Sequence, residues 1–404
     1  MGPHVDRNDD RNVADAPVVP SRGRVRSRRT ASTPGAARPA GLVVAVTGAA
    51  TGVGRSLAAA LVAHPDVRKV VGIDDRRGDV ADVTWRVLDV REPALVQRLA
   101  GCDAVVHAVL PDVTGGTYGA DQEVGSAAGT DDARALAQAR LVEGARTVLT
   151  AAAAAGVGRA VLVTSAMVYG AAADNDVPLD EDGPRRALAD GSALDGLLEV
   201  EETAERSRSV HPGLAVTVVR PAVLAGPGVD SVFTRHFEAP RLLVVKDSHP
   251  HWQFCHVDDL VTALVLAALG TVEGSVTVAS DGYLTQAEVE LVTGLRRIEL
   301  PARIAYGTAE RLHRLGMTPA PASELAYTAE PWVVSSARLR AAGWRPAFDN
   351  RQALSALVDE NAGRVRAAGR RFGRDATLGA AGATVAVLGT AAVVRQIRRT
   401  RRGS

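Results

Sequence analysis

The 404-residue chain carries 47 Lys and Arg against 46 Asp and Glu, and 46% of it is hydrophobic. A chain so balanced is neither wholly disordered nor a nucleic-acid binder acting through its overall charge, and its spread-out hydrophobicity excludes a polytopic membrane protein. Its two cysteines, Cys102 and Cys255, stand far apart without ligand-like spacing, so no disulfide framework and no metal site is expected.

Residues 1–40, rich in Arg, Asp, Pro and Ser with almost no apolar periodicity, read as a disordered basic tail. Within it Ser27-Arg28-Arg29-Thr30 resembles a twin-arginine export signal, but the apolar run that follows, Leu42 to Val46, is short and leads into a glycine motif. That run reads instead as a strand buried on both faces. A helix over 55–63, strands at 70–73, 103–107, 160–164 and 216–219, and a long helix over 132–155 continue the pattern. Such alternation predicts an α/β fold, a doubly wound parallel sheet with helices on both faces.

Beyond about residue 225 the segments shorten and Pro and Gly become frequent. That predicts a smaller C-terminal lobe at the carboxyl edge of the sheet, where ligands bind in such folds. Residues 259–269 form a strong helix there, with Asp258 placed to cap it, and residues 351–372 form the last amphipathic helix. Residues 376–394 hold no charged residue over 19 positions and are flanked by arginines. Their length permits a membrane span, but one basic flank would have to cross, and the Ala, Gly, Thr and Val content is only weakly apolar. A tail helix that packs on a partner or lies on a membrane surface competes on equal terms.

The sharpest motif is Thr47-Gly48-Ala49-Ala50-Thr51-Gly52-Val53-Gly54-Arg55, between a predicted strand and a predicted helix. In that context each glycine has a mechanical reason. Gly48 permits a tight turn, Gly52 lets backbone approach a pyrophosphate, and Gly54 lets the helix pack close to the strand. The helix N-terminus then offers N–H groups and a partial positive charge to phosphates. Asp74 ends the second strand twenty residues after Gly54, where a carboxylate accepts hydrogen bonds from ribose hydroxyls and favours NAD. Arg76 and Arg77 beside it keep NADP open, because a guanidinium there can hold the 2′-phosphate.

Taken in order, these motifs resemble the extended short-chain dehydrogenase/reductases, the NAD-dependent epimerase/dehydratases that act on nucleotide sugars. The resemblance covers about residues 42–360. Leu88-Asp89-Val90-Arg91 is similar to the segment whose Asp sits beside the adenine, and His107-Ala108-Val109 to the strand end that backs the cofactor. Thr164-Ser165 through Tyr169-Gly170 resembles the active-site serine strand, and Arg220-Pro221 through Gly228 the turn near the nicotinamide. Phe254-Cys255-His256-Val257-Asp258-Asp259 resembles the segment that opens a helix of the substrate lobe, and Gly343-Trp344-Arg345-Pro346 the turn before the last helix. The resemblance implies a Rossmann-type fold, and a cofactor site of Gly48, Gly52, Val53, Gly54, Asp74, Asp89, Val90, His107, Ala108, Ser165 and Pro221. It divides the chain into an NAD(P)-binding domain over 41–225, a substrate lobe with the final helix over 226–372, and a hydrophobic, Arg-flanked tail over 373–404.

The resemblance fails where the chemistry should be. The family pairs a tyrosine and a lysine one helical turn apart, so that the cation lowers the phenol's pKa toward neutrality. Only Lys69 and Lys246 are lysines, and the residues four after the five tyrosines are Gln122, Ala173, Ala287, Glu310 and Pro331. Aligned on the acidic end of its helix, the pair falls on Leu194 and Leu198, with a one-residue slip left open, and the family's asparagine falls on Leu141. Ser165 alone matches, as a positioning hydroxyl. Local candidates for a replacement acid or base are Ser192, Asp195, Glu199, Tyr169 and His107. Two readings follow: an oxidoreductase acting on a nucleotide or lipid-linked sugar with non-standard acid/base groups, or a non-catalytic dinucleotide-binding module. Either is expected in the cytoplasm, as a homodimer if the resemblance extends so far, with a small-molecule substrate, no nucleic acid, and any membrane association through 376–394.

Overall fold

In a computed structural model the described residues are 41–109, 131–189, 192, 194–229, 231–314 and 321–372. The tail expected over residues 1–40 and the apolar segment 376–394 lie outside them. The first half lays down β1 (Leu42–Thr47), α1 (Gly52–Val62), β2 (Val67–Asp74), β3 (Val83–Val87), α2 (Leu95–Leu99), β4 (Ala104–His107), α3 (Asp131–Ala154), β5 (Arg159–Val163), α4 (Leu194–Val210) and β6 (Ala215–Pro221). Short elements follow: β7 (Val223–Ala225), α5 (Val232–Glu238), β8 (Leu242–Val245), β9 (His251–Trp252), β10 (Phe254–His256) and then the longer α6 (Val257–Leu269). The remainder is β11 (Ser275–Val278), β12 (Leu284–Thr285), α7 (Gln286–Thr293), β13 (Arg297–Leu300), α8 (Ala302–Arg314), α9 (Ala337–Ala341) and α10 (Asn350–Phe372).

Seven strands form one parallel sheet in the order β11-β6-β5-β4-β1-β2-β3. The period-two geometry of a strand sorts β1 between two cores. Val44 and Val46 face α1 and α6 with Leu57, Leu61, Leu260 and Leu264. Val43 and Ala45 face the other side, with Leu95, Leu99, Val148 and Leu149 of α2 and α3. At about 1.5–3 kcal/mol for each fully buried aliphatic side chain, these two layers dominate the favourable side of folding. The predicted doubly wound α/β architecture is therefore observed.

Strand order reverses between β1 and β4, and the carboxyl ends of these two strands flank a crevice of the kind where such sheets bind ligands. Thr47 and His107 are register partners at that crevice. β3, α2 and β11 were not anticipated. β3 is a half-buried edge strand whose Val83-Thr-Trp-Arg-Val87 sequence carries no continuous apolar run. Asp258 does not cap α6. Val257 is already helical, so the N-cap is His256, whose Nδ1 accepts from the Asp258 N–H at 3.2 Å. Asp259 turns inward instead and accepts from the Ala347 and Phe348 N–H groups at 2.7 and 3.2 Å, while Trp344 Nε1 donates to Thr262 of α6 at 2.9 Å. The two C-terminal motifs thus lock onto one another.

Candidate functional site

The glycine segment closes the first turn of α1 onto β1 and β2. Gly48 has φ +72° and donates to the Ile73 carbonyl at 3.0 Å. A Cβ on Gly54 would lie 1.9 Å from the Gly48 oxygen, a distance no side chain tolerates. Gly52, at φ +51°, would have nothing among the described residues within 4 Å of a Cβ, so they leave the space above the helix N-terminus open. Val53 is buried in the core beneath. Gly54 thus leaves no room for a side chain against the Gly48 carbonyl.

Asp74 closes the corner from β2. Its Oδ2 accepts from the Ala50 N–H of the glycine loop and its Oδ1 from the Asp75 N–H, each at 2.9 Å. Burial raises its pKa, and the Ala50 N–H pulls it back. Two lone-pair positions of the half-buried carboxylate are used, which leaves acceptor capacity for ribose hydroxyls. An open glycine cradle, a helix N-terminus and a half-buried acid fit a dinucleotide.

The other predicted contacts distribute unevenly. Thr47 Oγ1 and His107 Nδ1 are 2.7 Å apart, and burial pushes the imidazole down to about 4. The His107 ring and Val90 both meet Gly144 of α3, where a Cβ would lie 3.7 Å from Nε2 and 3.5 Å from Val90. The Ala108 N–H donates to the Thr47 carbonyl at 3.2 Å. Asp89 is committed to its neighbour, accepting from Arg91 Nε at 3.0 Å, and that guanidinium holds its carboxyl below the usual range. Ser165 caps the short helical turn Ala166–Tyr169, its Oγ accepting from the Met167 N–H at 3.2 Å. Pro221 is buried at the end of β6.

Around α4 the picture is different. Leu194 and Leu197 are buried in the core, and Leu198 and Leu141 pack against it. Leu141 also meets α4 at Gly196, where a Cβ would come within 3.5 Å of its side chain. The candidate proton carriers are engaged. Ser192 accepts from the Leu194 N–H at 3.2 Å, and Glu199 pairs with Arg146 at 3.2 Å. Tyr169 is fully buried, donates to the Glu181 carbonyl at 2.8 Å and accepts from Arg220 at 2.7 Å. Burial raises its pKa, against the lowering charge of Arg220.

One site residue escaped the sequence reading. Glu201 is 1% exposed and receives Arg220 Nε and Nη2 at 2.9 and 2.6 Å, Thr164 Oγ1 at 2.7 Å and Arg185 at 3.3 Å. Burial alone would raise its pKa, but the Arg220 hydrogen bonds and charge, with Thr164, hold it below the usual value. It was hidden in an acidic run, Glu199, Glu201 and Glu202, of which only Glu201 shares the inward stripe of Leu194, Leu197 and Ala204.

The profile of the NAD dependent epimerase/dehydratase family matches residues 44–277. Uncharacterized proteins of Mycobacterium tuberculosis and Mycobacterium bovis are 26% identical over 322 residues, covering 77% of this chain and 82% of theirs. Among solved structures, Bordetella bronchiseptica WbmH in complex with NAD+ is 22% identical with a TM-score of 0.54, over 82% of this chain and 99% of that one. The UDP-glucose 4-epimerase of Thermotoga maritima with UDP-glucose is 16% identical with a TM-score of 0.55, over 80% and 100%. At such identities these two establish a shared fold.

Proposed function

The chain belongs to the NAD-dependent epimerase/dehydratase family, and from that premise we propose that it is an NAD-binding oxidoreductase acting on a nucleotide sugar without the family's Tyr–Lys pair. The observation that carries the cofactor half of this reading is the corner where Asp74 accepts from Ala50 beside the open space at Gly52. Gly48, Gly52 and Gly54 shape the phosphate cradle, Asp74 takes the adenosine ribose, and Val90, His107 and Ala108 wall the crevice. When bound, NAD supplies a reversible acceptor for hydride from a sugar carbon. Ser165 positions a substrate hydroxyl near the end of β5. His107, neutral at physiological pH, shares a hydrogen bond with Thr47 that fixes its ring at the end of β4. The nucleotide-sugar substrate is inferred from the family and from the ligand of the Thermotoga maritima neighbour.

A second reading is favoured by the α4 corner. Leu194, Leu197, Leu198 and Leu141 are packed into or onto the core, and Tyr169, Ser192 and Glu199 already have partners. That arrangement suits a protein that holds NAD as a sensor or structural element. Incubation of the full chain with NAD and UDP-glucose separates the two readings. Reduced nicotinamide, or a sugar recovered with altered stereochemistry or lost water, establishes the enzyme. Retained NAD with unaltered sugar, across a series of nucleotide sugars, establishes the binding module.

A further inference from the structure

Beside the Asp74 corner stands an ion pair that the dinucleotide reading does not use. Arg55, in the first turns of α1, directs its guanidinium at Asp79 of the loop after β2, with Nε at 2.6 Å from Oδ1 and Nη2 at 3.0 Å from Oδ2. The pairing is two-pronged, and both groups are solvent-exposed. The loop is held there by packing. A Cβ on Gly78 would fall 2.4 Å from the Trp85 ring and 3.0 Å from the Ala50 Cα, so only glycine lets this stretch lie between them. Ala50 is the same residue whose N–H donates to Asp74. The pair, the ribose acid and the glycine loop therefore share one corner.

Building on the NAD reading above, we infer that Asp79 sets cofactor choice by occupying the guanidinium of Arg55, the cation of α1 that would otherwise serve a 2′-phosphate. The physical argument is competition. A phosphomonoester beside Asp74 and Asp75 needs an arginine to offset like-charge repulsion, and Arg is the side chain whose fork matches phosphate. Here that fork is filled from within the chain. NADP must displace Asp79 and then meet a further carboxylate, whereas the NAD ribose needs only Asp74. Selectivity thus comes from a built-in repulsive group as much as from an attractive one. This differs from the sequence expectation, which placed the candidate phosphate-binding cations at Arg76 and Arg77.

The test measures NAD and NADP affinities of the full chain by calorimetric titration for the wild type, Asp79→Asn, and Asp79→Asn combined with Arg55→Gln or with Arg77→Gln. Circular dichroism confirms that each is folded, and Asp79→Ser replaces Asp79→Asn if that variant is not. In Asp79→Asn the NADP-to-NAD affinity ratio rises about tenfold, the scale of one charge-assisted hydrogen bond gained. Arg55→Gln in that background returns the ratio to the wild-type value, and Arg77→Gln does not. A ratio unmoved by Asp79→Asn or Asp79→Ser, in a chain that binds NAD, overturns the inference alone. So does reversal by Arg77→Gln in place of Arg55→Gln. A wild type that binds neither dinucleotide overturns the NAD reading itself, and the inference with it.

Discussion

The two corners of the crevice have diverged in what their polar groups are for. At the β1–β2 corner, polar groups are arranged with capacity to spare: among the described residues nothing approaches Gly52, and Asp74 uses part of its carboxylate on Ala50 and Asp75. At the β5–α4 corner, they are consumed internally. Glu201, Arg220, Tyr169, Glu181 and Thr164 bond to one another, and Leu141, Leu194, Leu197 and Leu198 pack into or onto the core beside them. A site that binds leaves lone pairs and donors unspent, and a site that holds the fold spends them. On the proposed reading, the contrast separates a corner that binds a cofactor from a corner that holds the fold.

Four substitutions test that contrast. The largest effect is expected at Glu201→Leu, which strands the Arg220 guanidinium in the core. Loss of one partner from a buried pair costs about 3–5 kcal/mol, read as a lower denaturant midpoint. A stable variant would show that the α4 corner is not structural. Next, Gly54→Ala forces a methyl group against the Gly48 carbonyl, a destabilisation of about 2–3 kcal/mol, with NAD binding lost in calorimetry.

The third prediction concerns pH. His107 has its pKa pushed down to about 4 by burial, below the ordinary value of 6.5. The unfolded chain therefore binds the proton more readily between those values, so this group's contribution is full above pH of about 6.5 and is lost as pH falls toward 4. At pH 5 the loss amounts to about 2 kcal/mol, and urea unfolding of His107→Asn shows a correspondingly shallower acid decline than wild type. An identical decline would place His107 in contact with water. The smallest effect is at Asp74→Asn, where NAD affinity falls about tenfold, or about 1.4 kcal/mol, while the unfolding midpoint moves little. A midpoint shift as large as that of Glu201→Leu would make Asp74 a structural acid and erase the difference between the corners.

Much of this was legible in the sequence, for identifiable reasons. The run Leu42–Val46 gave up its strand because both of its faces are buried, and the glycine spacing carried its own geometry into the turn at Gly48. β3 was illegible because an edge strand is only half-buried and mixes Thr, Trp and Arg with Val. Glu201 was illegible because its partner, Arg220, lies nineteen residues away on β6, and only the tertiary fold distinguishes it from Glu199 and Glu202. Asp258 misled because the residue type favours capping, while the backbone starts the helix two residues before the expected 259, at Val257. Among the described residues no helix is long and apolar enough to cross a membrane.

The central claim is that the β1–β2 corner still holds a dinucleotide although the β5–α4 corner has lost its proton carriers. Titration of the 404-residue chain with NAD, followed by heat of binding, tests it most directly. The account predicts saturable binding with one NAD per chain and weaker binding of NADP. An absence of NAD binding by a folded chain, or binding of NADP alone, would contradict it.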